Sequence, residues 1–384
     1  MILAGGLAAL TAIGTCQVLA GWIAVNGFSR RTDSGFTGTT PITVLKPLHG
    51  AEPLLEAALT TLFEQDYQPG FQIVCGVQDA DDAAIAVVHS LQAKYPGRAD
   101  LVIDATRHGA NPKVGSLINM LPAARNDILV IADSDVHARP DYLQQLAGSL
   151  SQPGVGLVTM LYIGLPAFNA LAGLLGATQI THGFLPGVLL GRAFGRHDCL
   201  GATMCLRRET LDRIGGFAAL RDHLADDQVL GRRVSAAGLD VALAPTIVAT
   251  TVPERTFGAL WRHELRWART IRTLEPAAFA ASILQYPLSL ATLTVVVSGF
   301  AAWTLTLFMI AWAVRAAAVV GIDRALRNML GGLAFRSPLW LLPLRDLLSA
   351  AEWVASHAGR RVDWRGQSMQ ADTPPRFTQG SHAP

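Results

Sequence analysis

The stretch Ile128-Leu-Val-Ile-Ala-Asp-Ser-Asp135 decides how this chain is read. Its apolar run, Ile128 to Ala132, has strand character and delivers two carboxylates, Asp133 and Asp135, to what should be a loop. Residues two apart on an extended chain point the same way. Carboxylates on one face repel each other unless a cation lies between them. Mg²⁺ or Mn²⁺ is commonly held by one or two carboxylates together with phosphate oxygens. An Asp-x-Asp at a strand end therefore points to a site for a divalent metal and a diphosphate. The same residues also make an ordinary solvated Asx turn, so the surrounding sequence has to decide.

Working outward, apolar strand-like runs alternate with helical spacing. Ile42 to Lys46, Phe71 to Val77, Leu101 to Ile103 and Ile128 to Ala132 read as strands. Glu52 to Gln65, Ala83 to Lys94 and Lys113 to Arg125 read as helices, and another starts at Pro140. Such alternation predicts an α/β domain with a parallel sheet, placed at about residues 40–255. Ligands of such sheets bind beyond the carboxyl ends of the strands. Asp79, Asp81, Asp82, Asp133 and Asp135 all fall there.

The composition points to a membrane. Of 384 residues, 51% are hydrophobic and only 16% charged, and the mean hydropathy is +0.33. That is too apolar for an ordinary soluble enzyme. Ile2 to Phe28 carries no charge and is long enough to span a bilayer, giving an anchor over 1–29. Arg30 and Arg31 follow it and belong on the cytosolic side by the positive-inside rule. A cleaved signal peptide is the competing reading, although no Lys or Arg precedes the apolar run. A C-terminal membrane region is expected over 277–356. Ala277 to Val320 has room for two spans of roughly 20 residues each. A third, Pro338 to Ala355, is made expensive by Arg345, Asp346 and Glu352. Val155 to Phe194 is apolar and rich in Gly and Pro, and reads either as core or as an interfacial segment beside a lipid entrance. The tail, 369–384, is polar and expected to be disordered. The net charge of +2 leaves no nucleic-acid footprint. Cys16, Cys75, Cys199 and Cys205 form no CxxC pair, so neither a zinc site nor a disulfide framework is expected.

Further residue patterns carry chemistry, each beside a plainer alternative. Asp79, Asp81 and Asp82 can accept hydrogen bonds from a base or a ribose, or can cap a helix. Asn111-Pro-Lys113 opens a helix from which Lys113 can reach a phosphate or simply be solvated. Asp226 and Asp227 precede a helical run. Adjacent carboxylates raise each other's pKa, which suits a general base, but the pair also suits a helix N-terminus. In Trp261-Arg-His-Glu-Leu-Arg-Trp-Ala-Arg269, Arg262, Arg266 and Arg269 share a helical face that can hold diphosphate oxygens. An interfacial helix over 256–275, with Arg on headgroups and Trp in the aromatic belt, explains the same pattern. His182 can line an acceptor pocket or be a hydrogen-bonded structural residue.

Taken together, Val44-Leu-Lys-Pro-Leu-His-Gly50, Val77-Gln-Asp-Ala-Asp-Asp82, Asn111-Pro-Lys113, Asn119-Met-Leu-Pro122, Asp133-Ser-Asp135, Cys199-Leu-Gly-Ala-Thr-Met-Cys-Leu206, Ala225-Asp-Asp227 and Arg266-Trp267 resemble the ceramide glucosyltransferases and their bacterial relatives, the hopanoid-biosynthesis glycosyltransferases. The resemblance runs from about residue 42 to 270. It implies a GT-A fold anchored by N- and C-terminal transmembrane helices, with the catalytic domain facing the cytoplasm of a bacterial inner membrane. It also implies a UDP-sugar donor, a divalent metal (Mg²⁺ or Mn²⁺), a lipid acceptor from the bilayer and inversion at the anomeric carbon. Carried over by position, Asp227 is the catalytic base, and Asp133 and Asp135 hold the metal. Asp82, Asp133, Arg266 and Trp267 are carried over as nucleotide-sugar residues, and Asp79, Lys113 and His263 are expected to join them. The family's last motif begins with Gln or Arg where this chain has His263. Transfer of N-acetylglucosamine from UDP-GlcNAc to bacteriohopanetetrol is the expected reaction. Glucosylation of ceramide or another lipid from UDP-glucose is the alternative, and a non-catalytic membrane binding or transport component a further one.

Overall fold

The computed structural model describes residues 1–31, 38–327, 329–330, 336–359, 361–364 and 367–370. Along the chain these form α1 (Ile2–Ser29), β1 (Ile42–Pro47), α2 (Leu55–Phe63), β2 (Phe71–Val77), α3 (Ala84–Lys94), β3 (Ala99–Ile103), α4 (Pro112–Met120), β4 (Ile128–Ala132), β5 (Val136–His137), α5 (Tyr142–Leu150) and β6 (Val155–Pro166). There follow α6 (Leu171–Gln179), a π turn (Ile180–Phe184), α7 (Leu185–Ala193), β7 (Thr203–Arg207), α8 (Arg208–Arg213), α9 (Asp226–Ala236), β8 (Asp240–Val252), α10 (Phe257–Leu274), α11 (Pro276–Ala281), α12 (Pro287–Val297), α13 (Ala302–Arg327), α14 (Leu342–Ser356) and the hairpin β9 (Arg361–Trp364) and β10 (Gln367–Gln370). The expected disordered tail lies outside the described residues apart from Met369 and Gln370, which end β10.

Two compact units result. One takes in Arg31–Tyr162 and Arg196–Thr251 and carries the α/β sheet, while residues 163–195, inside the span 40–255 read from the sequence, belong to the other unit. The sheet has the order β3-β2-β1-β4-β7-β6-β8-β5. The parallel arrangement predicted from the alternation holds for β3, β2, β1 and β4. Beyond β4 the sheet turns antiparallel, with β7 against β4 and β6 against β7. Alternate residues serve opposite faces. Val44 and Val130 join Leu59, Leu91 and Leu146 in one core, while Leu45, Leu129 and Ile131 join Leu117, Leu206 and Leu230 in another. A sheet covered on both faces requires strands that are apolar throughout, which is why Ile128 to Ala132 shows no alternation.

The other unit takes in Met1–Arg30, Ile163–Gly195 and the described residues from Val252 on. Its helices α1 and α13 are long and apolar enough to cross a membrane. The segment from Pro276 to Val297 passes the same test only as a pair bent by 66°. The 15-residue α14 is shorter than the roughly 20 residues of a span. Its charges are met inside the protein: Asp346 lies 3.5 Å from Arg315, and Arg345 faces Glu264 and Glu352.

The apolar stretch 155–194 is not one interfacial segment. Its first part is β6, whose Val155, Val158 and Met160 are core residues of the α/β domain. A short apolar run with no periodicity fits a doubly buried strand as well as an interfacial helix, and pairing with β7 decides for the strand here. The second part is helical, interrupted by the π turn. His182 in that turn is buried, with Nε2 2.7 Å from Asp323 Oδ1 and Nδ1 3.2 Å from Ser337 Oγ. The four cysteines are free thiols.

Candidate active site

The Asp-Ser-Asp loop leaves β4 and is tied at every residue. Asp133 N–H donates to Ala202 O, and Asp133 O accepts from Val136 N–H and from Lys46 Nζ. Ser134 Oγ donates to Glu52, and Asp135 O accepts from Thr251 N–H. Lys46 and Glu52 were not among the expected site residues. Lys46 did leave a signal: it is the one charge in an apolar strand, and that strand is buried along its whole length. Burial pulls its ammonium down to about 8, against the opposing pull of Asp135 and Asp133.

Three elements bring the acidic residues together. Asn111 caps α4, its side-chain oxygen accepting from Val114 N–H at 3.1 Å, and this cap sets Lys113 in the first turn. Lys113 Nζ lies 2.6 Å from Asp133 Oδ1 and 3.7 Å from Asp226 Oδ2, with Gly201 O at 3.4 Å. Burial opposes its charge, but Asp133 and Asp226 outweigh burial and hold the ammonium above its ordinary pKa. Lys113 is therefore a cationic bridge between the β4 loop and the start of α9, not a solvated side chain.

The two carboxylates at the start of α9 differ. Asp226 is held by Lys113 and by Asn111 Nδ2 at 3.4 Å. Asp227 accepts from Gln228 N–H at 2.8 Å. Burial, followed by the charge of Asp226, pushes the Asp227 carboxyl up to about 7. A carboxyl there is poised to take a proton near neutral pH. Gly201 leaves room for it, since a Cβ at that position would sit 2.9 Å from Asp227 Oδ2. Gly201→Ala is accordingly expected to turn Asp227 aside, lowering kcat roughly tenfold with nucleotide-sugar affinity unchanged. Steady-state kinetics beside nucleotide titration checks this, and an unaltered kcat would remove the contact from the mechanism.

Burial, together with the charge of Asp133, also pushes the Asp135 carboxyl up to about 7, with Lys46 opposing. A divalent cation on Asp133 and Asp135 would relieve that repulsion, and hard carboxylate oxygens suit Mg²⁺ or Mn²⁺. Among the described residues no group of three or more His, Cys, Asp or Glu is placed to hold a metal. Phosphate oxygens and water would therefore complete the shell, as is usual for Mg²⁺.

Asp79 and Asp82 play visible local parts. Asp79 Oδ1 accepts from Asp81 N–H at 3.0 Å. Asp82, whose side chain is 4% exposed, accepts from Ala84 N–H at 2.8 Å and from Gly50 N–H at 2.9 Å. It thus closes the entrance to α3 and fixes the loop after β1.

In the other unit α10 carries His263, Arg266 and Trp267. Thr256 caps this helix, accepting from Ala259 N–H at 3.3 Å. His263 Nδ1 lies 2.5 Å from Glu254 Oε1, and its ring stands edge-on to Trp267 with centroids 4.6 Å apart. Glu254 escaped the sequence reading because its contact spans the turn before the helix. Arg269 faces Ala358 O at 3.5 Å, so the expected face of three arginines is in part a clasp on the end of α14.

The model of glycosyl transferase family 21 matches residues 6–376. The chain belongs to glycosyl transferase family 21. Within reach of this family 21 chain, Ceramide glucosyltransferase 1 of Caenorhabditis elegans is 24% identical over 251 residues, covering 64% of this chain and 52% of the relative. The ceramide glucosyltransferase of Komagataella phaffii is 36% identical over 100 residues, 25% of this chain and 19% of the relative. This family 21 chain thus spans about half the length of the nematode relative. Among solved structures, the mannosyltransferase PcManGT from Pyrobaculum calidifontis in complex with GDP-Man and Mn²⁺ superposes with a TM-score of 0.51 at 21% identity, over 93% of this chain and 98% of its own. The fold is GT-A-like.

Proposed function

We propose that this chain is a membrane-bound inverting glycosyltransferase that moves a sugar from a UDP-sugar to a lipid hydroxyl at a cytosolic face. One observation supports the reading: Lys113 lies 2.6 Å from Asp133 and 3.7 Å from Asp226, so a metal and diphosphate held at Asp133 and Asp135 would lie near Asp227, whose carboxyl is pushed up to about 7. Asp227 takes the proton of the acceptor hydroxyl as its oxygen attacks the anomeric carbon. The bond to the diphosphate breaks on the opposite side, so an α-linked donor yields a β-glycoside. A divalent cation on Asp133 and Asp135 would supply charge neutralisation at the leaving diphosphate. Arg266 binds donor phosphate, and Trp267 packs against the sugar or the acceptor. The carboxylates assigned to this chemistry belong to the α/β domain, which favours catalysis over transport through the apolar helices.

The named relatives support glucose and ceramide above N-acetylglucosamine and bacteriohopanetetrol as substrates. The test is incubation of purified protein in detergent with UDP-glucose or UDP-GlcNAc, Mg²⁺ or Mn²⁺, and ceramide or bacteriohopanetetrol, followed by product mass. A hexose on ceramide is expected. An N-acetylhexosamine on the hopanoid would replace both substrates and keep the mechanism. Folded protein that forms no adduct and releases no UDP would overturn the catalytic reading.

A further inference from the structure

Arg345 lies in an apolar run, Leu339-Trp-Leu-Leu-Pro-Leu-Arg345, and is fully buried. A lone guanidinium there must be met by the protein itself. Its Nη1 donates to Glu264 Oε1 of α10 at 3.1 Å and reaches Leu175 O of α6 at 3.4 Å. Its Nη2 donates to Glu352 Oε2 at 3.1 Å, and both Nη2 and Nε reach Ser349 Oγ, at 2.9 and 3.2 Å. Ser349 Oγ in turn donates to Gln179 Oε1 at 3.2 Å, at the end of α6 next to the π turn. One side chain therefore ties α10, α6 and α14 together.

Stability does not account for this network. Two carboxylates face one guanidinium. The carboxyl groups of Glu352 and Glu264 also meet each other, and Glu264 Oε2 lies 2.9 Å from Arg345 Nη2. Buried ion clusters are often no more stable than apolar side chains of the same volume. What the network does supply is direction. An α-helix turns about 100° per residue. Fixing Glu264 toward Arg345 therefore fixes where its neighbours His263, Arg266 and Trp267 project. The Glu254–His263 pair at 2.5 Å holds the same turn from the N-terminal side.

We propose that Arg345 is a positioning residue that sets the rotation of α10 and so fixes the direction in which Arg266 and Trp267 project. This rests on the reading of α10 given above. The test uses the full chain in detergent. Arg345→Lys keeps the charge but cannot serve Glu264, Glu352, Ser349 and Leu175 O together. The triple change Arg345→Met, Glu264→Leu, Glu352→Leu replaces the network with apolar bulk. In both variants KM for the UDP-sugar is expected to rise roughly tenfold or more, while kcat changes less than about twofold and the triple variant melts no lower than wild type. A wild-type KM in either folded variant overturns the proposal. Loss of folded protein in both also overturns it, by making the network a stability element. Arg266→Ala distinguishes the two readings. If it leaves KM unchanged, donor binding by α10 fails and the positioning role falls with it. If it raises KM and Arg345→Lys does not, only the positioning role fails.

Discussion

Replacing Asp227 with asparagine is expected to lower turnover by roughly 10³-fold while leaving UDP-sugar binding close to wild type. A positioned general base contributes about 10²–10⁴-fold, and the amide cannot take the acceptor's proton. The substitution is nearly isosteric, and the amide oxygen can still accept from Gln228 N–H, so the start of α9 keeps its geometry. Nucleotide titration separates this loss from a loss of donor. Near-normal turnover in the variant would remove Asp227 from the role and turn attention to Asp226, which is more tightly held by Lys113 and Asn111. The wild-type pH profile follows the same residue. With its carboxyl pushed up to about 7, Asp227 is protonated below that pH and accepts a proton only above it. The value of kcat/KM should fall about tenfold per pH unit below neutrality and level off above it. At saturating metal, which holds Asp135 ionised, the Asp227→Asn variant should lack that limb.

Asp135→Asn is expected to raise the Mn²⁺ concentration for half-maximal activity by roughly 10²-fold, since a carboxylate on a divalent ion is worth about 3 kcal/mol. Without metal the same variant should melt no lower than wild type. Burial and the Asp133 charge oppose ionisation of Asp135, and a neutral amide removes that repulsion. Asp133→Asn makes the contrast. It also weakens metal activation, but it strips Lys113 of its 2.6 Å partner and should lower Tm, because a buried ammonium is left with less compensation. Metal titration of activity beside thermal melts in chelator checks both. Equal melting changes in the two variants would contradict the asymmetry, and unaltered metal dependence in Asp135→Asn would move the metal elsewhere.

Much of this was legible in the residues. Strand runs without alternation announced a sheet buried on both faces, because burial on both sides demands apolar residues throughout. Two carboxylates at a strand end announced a charged site, because topology places ligands beyond the carboxyl ends of strands. The uncharged run from Ile2 to Phe28 announced a long apolar helix by length alone. These are local properties, written in neighbouring residues. Contacts between distant segments are not. Lys113 joins Asp133 to Asp226, 20 and 113 positions away, and nothing in Asn111-Pro-Lys113 distinguishes such a bridge from a solvated lysine. Lys46, Glu52 and Glu254 gained their partners only when the chain closed on itself. Val155 to Pro166 became a strand because β7 was there to pair with it. Arg345 looked too costly for an apolar helix until Glu264 and Glu352 met it. The sequence by itself determined the elements, the apolar helices and the kinds of side chain at the strand ends, because periodicity and composition act over a few residues. Only the tertiary structure decided which carboxylate is neutralised and which is raised toward 7, because those depend on burial and on charges brought close from far along the chain.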